Sequence, residues 1–122
     1  MTRRMTYFSL ACALGALTVI DVSAARPVDD GRQLAIEACS ACHQVAPGQK
    51  RPAPVAEGEE GTHVEAPTFA DIAGKCLSSN DLRTKIANPH YPMREQVFMP
   101  VDLDALTLYI QSLSPRPNCA IR

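Results

Sequence analysis

The sequence predicts an all-α fold, and three observations lead to that prediction. Apolar residues recur three and four positions apart in several separate segments, which is the spacing of one helix face. Serine, aspartate and proline stand where these segments begin, and proline or asparagine where they end, as is typical of helices. No segment keeps the alternation of apolar and polar residues that a half-buried strand would show.

The N-terminal segment, residues 1–25, predicts a secretory signal peptide. Arg3 and Arg4 give it a positive start, an apolar run over 7–20 follows, and small residues close it at 23–25. The alternative is a retained membrane anchor. The apolar run is shorter than the roughly 18–20 residues that a membrane span needs, so we favour the signal peptide.

Export follows from that prediction. We expect cleavage after Ala24 or Ala25, release into a bacterial periplasm, and one domain over residues 26–122. The formal net charge is −1 at pH 7, so no basic excess indicates nucleic acid as a partner. No later segment is apolar enough to cross a membrane.

The first helix of the domain is expected to begin at Asp29 or Asp30, whose carboxylate can cap it, and to run to about residue 39. One face of it carries Gly31, Leu34, Ala35 and Ala38. The stretch 44–66 is rich in proline and glycine and is expected to be an irregular loop. Long ordered loops in small domains are often functional.

Three more helical segments are expected after the loop. The first begins at Pro67 and continues through residue 72, and the second is capped by Ser78 or Ser79 and ends at 88–89. The last begins near Pro100 and is stopped by the prolines that follow it at 115 and 117. Its apolar stripe consists of Leu103, Leu106, Ile110 and Leu113, with Tyr109 beside it.

The segment Cys39-Ser40-Ala41-Cys42-His43 is a C-x-x-C-H motif, the signature of covalent haem attachment. Two thiols one turn apart can each add across a haem vinyl group, and the histidine that follows can ligate the iron. A thioredoxin-like site would need a βαβ pattern, which the chain lacks. A zinc site would need a fourth ligand, and neither His63 nor Cys76 forms a second paired motif. We therefore predict one covalent haem c with its iron.

Cysteine usage gives a second prediction. Cys12 would leave with the signal peptide and two cysteines would hold haem, so that Cys76 and Cys119 remain as an even pair. In an oxidising compartment such a pair predicts a disulfide between the C-terminal tail and the middle of the chain. The alternative is two buried free thiols.

With these residues in view, the chain resembles the small class I c-type cytochromes of the bacterial periplasm, over essentially all of the mature chain. The segment 106–113 matches that family's L-x-x-Y-I-x-x-L pattern in its C-terminal helix, and Gly31 stands where the family has a small residue at the helix crossing. The resemblance implies that the first and last helices cross, with haem between helices and loops. Since the segment 66–73 also resembles the family, the Pro67 carbonyl is implied to accept a hydrogen bond from Nδ1 of His43.

The resemblance also implies a methionine as the sixth iron ligand. Met99 precedes Pro100 but lies one residue before the last helix, whereas Met93 ends a Pro-His-Tyr-Pro-Met stretch that resembles the family's Pro-His-Pro-Pro-Met. We favour Met93, which leaves a loop to cross the haem face and gives Met99 the N-cap position. His90 in place of Met93 is the bis-histidine alternative, and His63 is expected to be simply exposed.

These residues imply a soluble one-electron carrier that cycles between Fe(III) and Fe(II) and is not itself an enzyme. Its partners would be redox proteins of the periplasm, such as a dehydrogenase, an oxidase or another cytochrome. The alternative is a haem subunit stably bound to a periplasmic dehydrogenase, for which the loop 44–66 and a disulfide-pinned tail would serve the interface. A third class, a five-coordinate haem that binds gas or reduces peroxide, is disfavoured by Met93.

Overall fold

The computed structural model describes residues 27–57, 62–90, 92–116 and 119, and the predicted signal peptide lies outside these residues. The described elements are α1 (Pro27–Cys39), β1 (Val55–Glu57), β2 (Thr62–Val64), α2 (Phe69–Gly74), α3 (Ser79–Ala87) and α4 (Pro100–Ser112). Four helices with one very small sheet confirm the all-α prediction. Among the described residues, no helix has both the length and the apolar character to cross a membrane.

The crossing of α1 and α4 is the largest contact between elements of the fold. Gly31 of α1 lies against the backbone of Ala105 in α4, where a Cβ would fall on the carbonyl group and come within 2.9 Å of the Tyr109 Cβ. Only glycine allows this close approach without a shift of one helix. The prediction that Gly31 lies at a helix crossing is therefore confirmed.

The core forms where the remaining helices pack on this crossing. Its buried members are Ala35, Val45, Phe69, Ala73, Leu82, Leu106, Tyr109 and Ile110. Two of them, Leu106 and Ile110, belong to the apolar stripe predicted for α4, and the other two residues of the stripe, Leu103 and Leu113, are half-buried. The ion pair between Arg83 and Asp104, 2.8 Å long, ties α3 to α4 at the surface of this core.

Helix boundaries agree with the sequence at α3 and α4, whereas α2 begins at Phe69 and ends at Gly74, two residues later than predicted at each end. Ser78 caps α3, and Asn88 ends it directly before a proline. Met99 is the N-cap of α4 and Pro100 its first residue. Thr68 caps α2 one residue after the proline at which the sequence placed its start, and its hydroxyl accepts a hydrogen bond from the Asp71 amide.

The predicted start of α1 is wrong by two to three residues. The helix begins at Pro27, so Asp29 and Asp30 lie inside its first turn instead of capping it. Proline has a φ angle suited to the first helical position, and the two carboxylates favour the positive end of the helix dipole. The same residues therefore stabilise the helix start from a different position.

The sequence suggested that the segment 44–66 is an irregular loop, but the structure contains a small hairpin within it. β1 and β2 pair antiparallel, with Val55 opposite Val64 and Ala56 opposite His63. Each strand has only three residues, which is too short for a period of two to be recognised in the sequence. The salt bridge from Arg51 to Glu65, 2.8 Å long, joins the two chain segments at the open end of this hairpin.

Candidate functional site

The C-x-x-C-H motif begins at the last residue of α1 and continues into a tight turn. The amides of Cys42 and His43 both donate to the Cys39 carbonyl, at 3.2 and 2.9 Å. This turn brings the three side chains together at one end of α1. Both thiols are free and half-buried.

Burial changes the acidity of the first thiol. Desolvation, together with a smaller contribution from Cys42 nearby, raises the pKa of the Cys39 thiol to about 11. The side chain packs against the hydrophobic core, which explains the desolvation. Burial therefore keeps Cys39 a protonated thiol over a wider range of pH than an exposed cysteine.

His43 is fixed in orientation by its neighbours. Its side chain is 9% exposed, and Nδ1 lies 2.8 Å from the carbonyl oxygen of Pro67. With Nδ1–H as the donor, Nε2 carries the lone pair and is the nitrogen that can bind a metal. The ring also contacts Phe69, with ring centroids 5.6 Å apart. The hydrogen bond is the one that the resemblance implies.

The backbone after His43 is held by bonds that the sequence did not suggest. The Gln49 side chain accepts from the amides of Val45 and Ala46, at 2.9 and 3.2 Å, and the Gln44 side chain donates to the Gln49 carbonyl at 2.7 Å. The Phe69 amide donates to the Gln44 carbonyl at 3.0 Å, which anchors this segment beside α2. A glutamine in a loop has no pattern from which such bonds could be predicted, because they depend on the folded backbone.

The two candidate methionines have different surroundings. Met93 follows a turn in which its amide donates to the His90 carbonyl at 2.8 Å, and its side chain is 37% exposed. Met99 is 63% exposed, and its backbone is engaged as the N-cap of α4, where its amide donates to the Asp102 carboxylate at 3.1 Å. The residue before it, Phe98, packs against the core. The N-cap position of Met99 is as predicted for the case in which Met93 is the ligand.

His63 and His90 differ from His43 in burial and are distant from the motif turn in sequence. His63 is exposed on β2. His90 is exposed as well, and its carbonyl accepts the turn bond from Met93. Neither is buried as His43 is.

Cys76 and Cys119 form a disulfide, with their Cα atoms 4.8 Å apart. Cys76 follows the C-cap residue of α2 and has a φ of 54°, the left-handed conformation that glycine usually supplies after a helix. Cys119 is buried, and its amide donates to the Arg116 carbonyl at 3.1 Å. The tail after α4 is thus joined to the end of α2.

These side chains fit a covalently attached haem. Two free thiols lie at one turn, and the histidine directly after them has Nδ1 engaged and Nε2 available. An imidazole nitrogen and a thioether sulfur are the axial donors found together in c-type haem proteins. The donor set therefore matches the group that the motif predicts.

Comparison with known proteins leads to the same family. The family model of cytochrome c matches residues 28–114, well over half of the chain. No curated protein and no solved structure matches this chain. The matched range contains the motif turn, Pro67 and both candidate methionines. The chain therefore belongs to the cytochrome c family, whose members bind haem c and transfer electrons.

Proposed function

We propose that this protein is a periplasmic one-electron carrier with a single haem c, attached through Cys39 and Cys42 and ligated by His43 and Met93. The observation that carries the proposal is the 2.8 Å contact between His43 Nδ1 and the Pro67 carbonyl, next to two free thiols. It fixes the tautomer and the orientation of the ring, so that Nε2 would be free to bind the iron. When bound, haem c supplies an iron that alternates between Fe(III) and Fe(II).

The motif residues have separate tasks in this proposal. Each thiol of Cys39 and Cys42 adds its sulfur and hydrogen across one vinyl double bond, so that two thioether bonds form and nothing is released. His43 presents Nε2 to the metal while Pro67 restrains rotation of the imidazole. A restrained ring changes little between two charge states of the iron, and this keeps the cost of reorganisation low.

Met93 supplies the second axial donor. A thioether favours the reduced state of iron and therefore raises the reduction potential relative to bis-histidine ligation. Met99 is less suited to the task because its backbone begins α4. The short distance in sequence between Met99 and the helix leaves no loop through which its sulfur could reach across a haem face.

Paired substitutions test the ligand assignment. Oxidised methionine-ligated haem c has a weak far-red absorption band that arises from the sulfur–iron bond. We expect Met93→Ala to abolish this band and to lower the reduction potential, whereas Met99→Ala keeps both. The reverse result would assign the ligand to Met99, and loss in neither variant would exclude methionine ligation.

Purification of the mature protein from the periplasm of its own host tests the cleavage of the signal peptide, the attachment of one haem and the choice between free carrier and subunit. Intact mass under denaturing, non-reducing conditions should correspond to residues 25–122 or 26–122 plus one haem that stays attached. A lone small species would support a mobile carrier whose redox partners bind briefly. Co-elution in equal amount with a larger catalytic polypeptide would instead identify the dehydrogenase subunit.

A further inference from the structure

A side-chain hydrogen bond joins the methionine loop, residues 92–99, to helix α1. The Nε2 atom of Gln96 donates to the Ala38 carbonyl oxygen at 3.1 Å, across 58 positions of sequence. Ala38 directly precedes Cys39, the first thiol of the motif. The contact therefore connects the loop that carries Met93 to the end of the helix that carries the motif.

The Ala38 carbonyl needs a donor from outside its own helix. The last four carbonyls of an α-helix have no partner within the helix. The Cys42 amide, four positions further on, donates to the Cys39 carbonyl instead. Among the described residues, the donor to Ala38 from beyond the helix is the Gln96 amide, which acts as a remote cap on α1.

The rest of the methionine loop has few ties of this kind. Arg94, Glu95 and Val97 are exposed, and Val97 is 96% exposed. The loop is fixed at its start by the turn at Met93 and at its end by Phe98 and the N-cap of α4. In the described part of the chain, Gln96 supplies the side-chain hydrogen bond between these two ends.

We propose that Gln96 is a positioning residue that holds the methionine loop closed over the axial site of the haem, and this rests on the function proposed above. A loop that carries an axial ligand is in equilibrium with open states in which the ligand is released. A hydrogen bond made only in the closed state shifts this equilibrium toward closure. Loss of the bond increases the open fraction, and a competing ligand then binds more tightly by the same factor.

Imidazole binding to the oxidised holoprotein measures that open fraction. We expect Gln96→Ala to raise the affinity for imidazole by about two- to tenfold, the effect of losing one exposed hydrogen bond. Gln96→Glu should behave as Gln96→Ala does, because a carboxylate of similar length cannot donate to a carbonyl. Gln96→Lys restores a donor of sufficient length and should bring the affinity back toward that of the wild type.

Gln33→Ala is the matched control. Gln33 is an exposed glutamine of α1 whose side chain donates to Glu37 one turn away, so its removal leaves the loop untouched. Its imidazole affinity should equal that of the wild type. Urea unfolding of each variant separates loop opening from a general loss of stability, since an increase in affinity well below the unfolding transition reports the loop alone.

An NMR coupling across the hydrogen bond, from Gln96 Nε2 to the Ala38 carbonyl carbon of the reduced holoprotein, tests the contact directly. Absence of this coupling, or equal imidazole affinities for Gln96→Ala, Gln33→Ala and the wild type, would overturn the proposal. Failure of the proposed function is distinguishable from this. If Met93→Ala keeps the sulfur–iron band, the ligand assignment fails, while the coupling and the ranking of affinities still decide whether Gln96 holds the loop.

Discussion

The hydroxyl of Tyr109 donates a 2.8 Å hydrogen bond to the carbonyl of Val45, and both residues are buried. Tyr109 belongs to α4, and Val45 lies two residues after His43. The same tyrosine ring lies 6.5 Å from the ring of Phe69, which in turn contacts His43. The C-terminal helix thus supports the histidine from two sides, through the backbone of its segment and through an aromatic neighbour.

Replacement of Tyr109 by phenylalanine removes the hydroxyl and keeps the ring. The Val45 carbonyl is then left buried without this donor, so we expect the free energy of unfolding to fall by about 1–2 kcal/mol. For a domain of this size, each kcal/mol corresponds to a loss of about 4–8 °C in Tm. Urea and thermal unfolding of the holoprotein measure both quantities.

Thr107→Val is the control on the same helix. The Thr107 hydroxyl is buried and has no hydrogen-bond partner among the residues that the structure describes. Replacement by an isosteric apolar side chain should leave the free energy of unfolding unchanged or increase it by up to about 1 kcal/mol. If Tyr109→Phe loses no more than Thr107→Val does, the hydrogen bond from Tyr109 to Val45 does not make the stabilising contribution assigned to it.

Gly31→Ala should disrupt the crossing of α1 and α4. The added methyl group would meet the Ala105 carbonyl, a backbone group that cannot move without its helix. We expect a loss of at least about 2–3 kcal/mol in the free energy of unfolding, together with a lower yield of holoprotein. Gly74→Ala is the control, because a Cβ there meets nothing within 4 Å, and its free energy of unfolding should equal that of the wild type or exceed it by up to about 1 kcal/mol.

Acid should weaken the start of α2 through Asp71. The pKa of the Asp71 carboxyl is lowered below 3.8. The largest cause is a hydrogen bond with the Thr68 side chain, followed by one from the Thr68 backbone amide, and Arg51 makes a smaller contribution. Because the folded-state pKa is depressed, the stabilisation is present above 3.8 and is lost as the pH falls through the lower value. NMR titration of the carboxyl carbon should show this midpoint.

Two substitutions at position 68 test the cause of the shift. Thr68→Ala removes the hydroxyl and should move the pKa of Asp71 upward toward 3.8. Thr68→Ser keeps a hydroxyl at the cap and should keep the pKa low. A midpoint that is the same in all three proteins would mean that the cap does not control this carboxyl.

Loss of the disulfide should lower the free energy of unfolding, because the unfolded chain then gains conformational freedom. Cys76 and Cys119 are 43 positions apart, so the cross-link closes a long loop, and its removal should cost about 2–4 kcal/mol. Cys76→Ser, Cys119→Ser and the double variant should lose the same amount, because each breaks the same bond. Alkylation of both thiols in the untreated protein, without reductant, would contradict the bond itself.

The sequence was sufficient where a feature depends on residues close together in the chain. The cap at Ser78, the start of α4 at Pro100 and the motif after α1 all follow from local chemistry. The pair Cys76–Cys119 could be predicted by counting cysteines, because no other cysteine is left once Cys12, Cys39 and Cys42 are assigned. These features need no knowledge of which segments meet.

Features that depend on distant contacts could not be predicted from the same residues. The bond from Gln96 to Ala38 requires the loop and α1 to be side by side, and a lone glutamine gives no sign of this. The hairpin around β1 and β2 is too short to show alternation. The left-handed backbone at Cys76 was also unexpected. Glycine usually takes this conformation after a helix, and the chain has a glycine two residues earlier, at position 74.

The crossing at Gly31 has a consequence for the order of folding. α1 lies at the start of the described chain and α4 near its end, so their interface closes a loop that spans most of the domain. Contacts of such long range form late and slowly compared with single helices. During synthesis α1 lacks this partner until α4 has emerged. Cys39, which is half-buried against the core in the finished fold, is therefore more accessible to chemical modification before folding than afterwards.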